Sequence, residues 1–185
     1  VYHAVKQSAS AGYKYVRRWT EAKELLQKGE NVLLIPDSCA GRKTHFASHF
    51  WNPIMFNWNP MIVGTRIEHR HPVFRDFPTS YYADWQWWDI LTNAKVIDMT
   101  DTPQELRPFI QVIDSYETNQ KLGIGFEARV NNGKLLVLAV DTRKDLDKRP
   151  ATQQLLKSID QYVKSGQFAP RATVKEEFIQ SFLIK

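Results

Sequence analysis

Cysteine is nearly missing from this 185-residue chain: Cys39 stands alone, so no disulfide can close within it. A chain of this length buries roughly 70% of its unfolded surface and needs no such staple. One domain spanning 1–185 with an ordinary core is therefore expected. No apolar run reaches the roughly 18 to 20 residues of a membrane span, and no segment has the make-up of a signal peptide. The chain opens Val1-Tyr2-His3 without an initiator Met, as expected of a processed protein or an excised domain. Charge of one sign is nowhere concentrated. Lys and Arg number 25 against 20 Asp and Glu, a net +5. The densest basic group, Arg143-Lys144 with Lys148-Arg149, is interrupted by Asp145 and Asp147. Nucleic-acid binders gather their charge on one face, so neither nucleic acid nor membrane is expected as a partner.

Several catalytic signatures are missing too. Gly123-Ile124-Gly125 lacks the third glycine of a phosphate loop and lies within a strand pattern. His45 and His49 sit at helical spacing, and Glu68-His69-Arg70-His71 is a close cluster. Neither forms a His-Glu-x-x-His signature, and Pro72 breaks any helix there, so no metal site is expected. Cys39 follows a buried strand, where a nucleophile elbow would sit. The turn Asp37-Ser38-Cys39-Ala40-Gly41 has its glycine only on the far side, and no histidine follows His71 to complete a triad.

What the chain does have is aromatics, unevenly placed. Residues 46–88 hold more than half of its six Trp, seven Tyr and ten Phe, among them Phe46, Trp51, Trp58, Phe74, Phe77, Tyr81, Tyr82, Trp85, Trp87 and Trp88. Four prolines, Pro53, Pro60, Pro72 and Pro78, break up the same stretch. Such a segment must fold on itself or cover something. Rings stack on the apolar faces of sugars while carboxylates and amides bind hydroxyls. Asp84-Trp85-Gln86-Trp87-Trp88-Asp89 interleaves both kinds of group, and Trp51-Asn52 offers a second such pair. Trp51, Asp84, Trp85, Gln86, Trp87 and Trp88 are therefore the candidate carbohydrate contacts. Packing against the core is the competing reading of the same rings.

Elsewhere the pattern is that of an α/β protein. Thr20–Gln27 reads as a helix, with Thr20 as N-cap and Gly29 past its end. Val32–Ile35 is apolar throughout, a strand buried on both faces as in a parallel sheet. Lys95–Asp98, Phe109–Ile113 and Leu135–Val140 are further strands. From Leu122 to Val130 apolar residues alternate with Gly123, Gly125, Glu127 and Arg129, which predicts a half-buried strand. Asn131-Asn132-Gly133 signals a hairpin. Thr102-Pro103-Gln104-Glu105 opens a short turn. Leu155, Leu156, Ile159, Tyr162 and Val163 share one helical face, and Thr173 with Glu176 forms a capping box for a last helix. Together these predict a three-layer α/β sandwich with a mostly parallel sheet and one β-hairpin. Four of the strands end in aspartate: Asp37, Asp98, Asp114 and Asp141. Aligned, these acids would frame a crevice at the carboxyl ends of the sheet; singly, each is a turn or helix cap. A glycosidase pair would need two carboxyls about 5 to 10 Å apart, with Asp114, Glu117 and Glu127 as candidates. Arg129, two residues from Glu127, would lower the pKa of Glu127, which suits a salt bridge better than a general acid.

Three blocks carry a resemblance. They are His71-Pro72-Val73-Phe74-Arg75-Asp76-Phe77-Pro78-Thr79 with Asp84-Trp85-Gln86-Trp87-Trp88; then Arg107-Pro108-Phe109-Ile110-Gln111-Val112-Ile113-Asp114; then Leu122-Gly123-Ile124-Gly125-Phe126-Glu127-Ala128. In this order, from about Val32 to Tyr162, they resemble the C-terminal region of large bacterial family 2 glycoside hydrolases of the β-galactosidase or β-glucuronidase-like kind. The resemblance implies a flavodoxin-like, class I glutamine amidotransferase-like layer that has lost amidotransferase chemistry, similar to the β-galactosidase trimerisation domain. Catalytic acids of such enzymes lie in a separate barrel domain. No barrel motif is matched here, so no catalytic residue carries over. The implied role is a non-catalytic accessory domain in carbohydrate degradation, shaping assembly or the active-site rim, without a cofactor and in the periplasm or outside the cell. Its partners would be the other domains of the parent hydrolase, with carbohydrate and oligomerisation as further contacts. Two alternatives stay open. One is a carbohydrate-binding module using the Trp platform; the other is an independent hydrolase or amidotransferase using Cys39 or Glu127.

Overall fold

The computed structural model describes residues 12–46 and 62–183. Seven strands form one mixed, open sheet: β1 (Lys14–Val16), β2 (Asn31–Leu34), β3 (Gly64–Ile67), β4 (Ile97–Asp98), β5 (Ile110–Ile113), β6 (Lys121–Val130) and β7 (Gly133–Leu138). Their order is β1-β2-β7-β6-β5-β3, with β4 pairing with β6 where β7 leaves it. The class is α/β, but the expected parallel character is corrected. Only β1–β2 and β2–β7 pair parallel, while β6 runs against β7, β5 and β4, and β3 runs against β5. The hairpin is the reason. Asn131, at a φ of +52°, and Asn132 turn β6 straight back into β7, with Val130 opposite Gly133. A two-residue loop can join only antiparallel neighbours. Even so, β1, β2, β4, β5 and β7 all point the same way, because β6 lies reversed among them.

Helices α1 (Trp19–Gln27) and α4 (Glu176–Ser181) cover one face of the sheet; α2 (Trp88–Thr92) and α3 (Pro150–Lys164) cover the other. Side chains alternate across a strand, so β2 and β7 serve both cores. Val32, Leu34, Leu135 and Val137 meet Ala22, Leu26 and Ile179, whereas Leu33, Leu136 and Leu138 meet Leu155, Ile159 and Val163. This is why both strands read as apolar throughout. Each such side chain, fully buried, contributes about 1.5 to 3 kcal/mol.

The expected half-buried β6 is also corrected. Leu122 and Ile124 lie in the α3-side core, but Phe126, Ala128 and Val130 lie in the α1-side core. Positions of equal parity can face opposite ways only if the strand slips by one residue. It does: Ile110 pairs with Gly125 but Gln111 with Gly123, a bulge that leaves Ile124 extra. Both flanking glycines are required there. A Cβ on Gly123 would lie 2.7 Å from Met99 Sδ, and one on Gly125 2.5 Å from the Phe109 ring.

Two caps differ from expectation. Arg18, not Thr20, occupies the N-cap of α1, and its side chain makes no cap hydrogen bond. Thr173 bridges to Arg129 beside β6, so α4 begins after Lys175 without a side-chain cap. Gly29 does end α1, at a φ of +82°. Among the described residues no helix is long and apolar enough to cross a membrane.

Candidate functional site

The aromatic segment is built on a short 3-10 turn, Trp85–Trp87, that runs into α2. Asp84 starts it, its Oδ1 accepting from the Gln86 N–H at 3.2 Å. In 3-10 geometry residues three apart eclipse one another, so Trp85 and Trp88 share one side while Trp87 takes the other. Trp87 is 0% exposed, whereas Trp85 is 80% and Trp88 54% exposed. The buried indole sits edge-on to Phe77 at 5.2 Å and to Phe74 at 5.9 Å, and its Nε1 donates to Thr79 Oγ1 at 2.8 Å. Trp87 therefore offers no ring face to a ligand, which corrects its place among the expected contacts. Gln86 and Asp84 are engaged as well: Gln86 Nε2 donates to Pro78 O at 3.0 Å and to Asp84 Oδ2 at 3.4 Å. The polar residues between the rings thus tie the turn together. Phe46 lies against Trp85 with ring centroids 5.1 Å apart. Tyr81 and Tyr82, edge to face at 5.1 Å, are also exposed. Trp51 and Trp58 lie outside the described residues.

An unforeseen residue anchors this segment from behind. Arg149, buried at the start of α3, donates from Nη2 to Asp89 O at 3.2 Å and to Thr152 Oγ1 at 3.1 Å, and from Nη1 to Asp141 O. Its Nε stands 3.7 Å from Asp89 Oδ2. The guanidinium so joins α2, the end of β7 and α3. Burial lowers its proton affinity, opposed by Asp89, Asp141 and Asp145, yet a guanidinium remains charged.

The four strand-terminal aspartates do lie at the same end of the sheet, since β2, β4, β5 and β7 run the same way. They form two groups. Asp37 and Asp141 share Arg143, at 3.9 and 3.1 Å, and Arg17 joins Asp37 at 3.3 Å and Thr142 at 3.1 Å. Asp98 accepts from Gln120 Nε2 at 2.9 Å, while the Gln120 N–H donates to Asp114 at 2.9 Å. Asp114 also takes Arg42 and the Thr118 hydroxyl, the latter at 2.7 Å. Burial alone would raise the Asp114 carboxyl, but hydrogen bonds from Thr118, the Gln120 and Ser115 backbone and Arg42 hold it below the ordinary range. Arg143 hydrogen-bonds the Asp141 carboxyl and lowers it against a smaller burial effect. Carboxyls held in the ionised form suit ion pairs rather than general acids.

Glu127 stands elsewhere. It faces the α3-side core, opposite Leu136 on β7. Its Oε2 accepts from the Tyr162 hydroxyl at 2.7 Å, and its Oε1 lies 3.8 Å from His71 Nε2. The expected neighbour Arg129 donates instead to Pro170 O at 3.1 Å. Glu127 is six residues along β6 from Lys121, the partner of Ile113. At strand rise that is roughly 20 Å from the Asp114 end, too far for a glycosidase pair. Cys39 is buried in the α1-side core, beside Leu183. Burial pushes its thiol up to about 11, with Lys95 acting the other way, so little thiolate exists near neutrality. Among the described residues no group of three or more His, Cys, Asp or Glu is placed to hold a metal ion.

No curated protein matches the chain. The model of one protein family, described as a domain of unknown function (DUF8487), matches residues 14–184. That match covers the whole sheet and all four helices, and the chain belongs to this family.

Proposed function

We propose that this chain is a non-catalytic accessory domain of a carbohydrate-degrading enzyme, and that the Tyr81–Trp88 face is where it meets the rest of that enzyme. The observation that carries the reading is the pairing of Trp85 and Trp88, 80% and 54% exposed, on a turn held rigidly by buried Trp87. Large exposed rings on a fixed support are the usual make-up of a docking surface. The acids support the non-catalytic part, since Asp114 and Asp141 are held ionised by arginines and hydrogen bonds. The resemblance of the His71–Trp88, Arg107–Asp114 and Leu122–Ala128 blocks to family 2 glycoside hydrolases supplies the enzyme context, and with it a periplasmic or secreted setting. The scaffold is read in this light as a three-layer, flavodoxin-like or class I glutamine amidotransferase-like domain in which β3 and β6 have come to run in reverse.

The second reading, carbohydrate binding at the same face, is favoured by one detail. Trp85 and Phe46 stand at 32° to each other rather than flat together, which leaves the indole broadly exposed. Titration calorimetry with galactosides, glucuronides and plant oligosaccharides separates the two. The docking reading expects no saturable heat with the chain alone, and loss of assembly when Trp85→Ala and Trp88→Ala are placed together in the full-length protein. Saturable sugar binding abolished by that pair would move the assignment to a binding module. Turnover of an aryl glycoside or of glutamine by the pure chain would overturn both.

A further inference from the structure

His71 occupies a junction that neither reading uses. It is the N-cap of the 3-10 turn Pro72–Phe74, and its Nδ1 accepts the backbone N–H of Val73 at 3.2 Å. With Nδ1 an acceptor, the neutral ring must carry its proton on Nε2, the nitrogen 3.8 Å from Glu127. Phe109 stacks on the ring at 5.3 Å and Tyr162 meets it edge-on at 5.3 Å. The titratable groups that face it are therefore Glu127 from β6 and Tyr162 from α3; Phe109 adds only an uncharged ring. Burial, then the Glu127 hydrogen bond, raise the Tyr162 phenol, so it stays protonated and keeps donating to Glu127.

The turn that His71 caps supports the aromatic face. Phe74 and Phe77 are the rings that wedge Trp87. The turn is also tied to α3 at both ends: Ser158 Oγ donates to Val73 O at 2.6 Å and accepts from the Asp76 N–H at 3.1 Å, and Gln154 donates to Asp76 O. Those ties involve no group that titrates. A doubly protonated imidazole is a donor at both nitrogens. It cannot accept from Val73, which is fully buried, while Glu127 attracts the new charge. We propose that His71 is a pH-sensitive latch: neutral, it holds the Val73 amide and so the start of the Pro72–Phe77 turn beneath Trp87; protonated, it turns toward Glu127 and releases that amide. The Trp85 and Trp88 face is thus firm while the ring is neutral and less firmly seated once it is protonated, whatever partner it meets.

Amide hydrogen exchange and imidazole nitrogen shifts, followed by NMR on the chain between pH 8 and 5, test this. At pH 8 the latch expects Nδ1 without a proton and a protected Val73 amide. At pH 5 that protection, corrected for intrinsic exchange, falls at least about tenfold. His71→Asn keeps a cap acceptor without a titrating group, and its Val73 protection is independent of pH. Glu127→Gln removes the attracting charge and moves the transition to lower pH. A proton on Nδ1 at pH 8, unchanged Val73 protection at pH 5, or the same acid loss in His71→Asn would each overturn the latch. Should the Asn variant fail to fold, an unmoved transition in Glu127→Gln overturns it instead.

Discussion

The Trp87 indole N–H reaches Thr79 Oγ1 at 2.8 Å, closing the Thr79–Trp87 loop, whose outer side presents Trp85. Of the three tryptophans within Trp85–Trp88, Trp87 therefore differs in kind from the other two. Trp87→Ala should cost about 3 to 5 kcal/mol, the usual loss for a large core aromatic. Thr79→Val, which leaves the indole donor unpaired, should cost about 1 to 3 kcal/mol. Trp85→Ala and Trp88→Ala should each stay within about 0.5 kcal/mol of the parent. Urea unfolding followed by circular dichroism reads all four, and a large loss in Trp85→Ala would show its ring to be part of the core.

Gly41 is irreplaceable for a steric reason. Its Cβ would fall 1.6 Å from the Val96 carbonyl oxygen, where the loop after β2 runs against the residues leading into β4. Backbone cannot move aside as a side-chain tip can. Gly41→Ala should lose more than about 3 kcal/mol, at the upper end for overpacking. Gly166→Ala, where a Cβ meets nothing within 4 Å, should be neutral or slightly stabilising. Thermal melts of the two variants side by side check the contrast.

Acid should act through Asp114. Its folded carboxyl is held below the ordinary value, while in the unfolded chain it returns to about 3.9. The unfolded state then binds more protons in the interval between, so this contribution is complete above about pH 5 and is lost as the pH falls through the folded value. Asp114→Asn should be less stable than the parent at pH 7, and the gap should narrow between pH 5 and 2. A gap that stays constant over that range, in urea midpoints, would remove the Arg42–Asp114 pair from the account of acid sensitivity. Asp141 shifts in the same direction, but its side chain is 39% exposed, so solvent screening leaves it a small part.

Cys39 should resist alkylation. With its thiol pushed up to about 11, roughly one part in a thousand is thiolate at pH 8. Iodoacetamide should label the folded chain at least about a hundredfold more slowly than the same chain in concentrated urea. Labelling at equal rates in both would point to an accessible, activated thiol and would revive the nucleophile reading.

The sequence was most legible where one physical demand dominated. Val32–Ile35 and Leu135–Val140 announced β2 and β7 because strands buried on both faces admit only apolar residues. The hairpin was visible in Asn131-Asn132-Gly133, but the antiparallel pairing of β6 with β5 joins residues outside any local pattern. β1 and β3 carry little local signal. Lys14-Tyr15-Val16 is short and half exposed, and Gly64-Thr65-Arg66-Ile67 lies at the sheet edge with one polar face. The division of labour within Trp85-Gln86-Trp87-Trp88 was hidden because it depends on 3-10 geometry, which places residues by threes. The Asp84 and Gln86 side chains looked like ligand groups because a cap and a tether use the same chemistry. His71, Tyr162 and Glu127 come from three distant elements, and no local pattern could have joined them.

The slip at Ile124 has a mechanical outcome. Because β6 changes sides at its midpoint, the same ten-residue strand is a wall of both cores. Neither helical layer can peel away without unseating residues that the other layer holds. The domain should therefore melt in one step, its calorimetric and van't Hoff enthalpies agreeing, with the amides of β6 and β7 opening only when the whole molecule does.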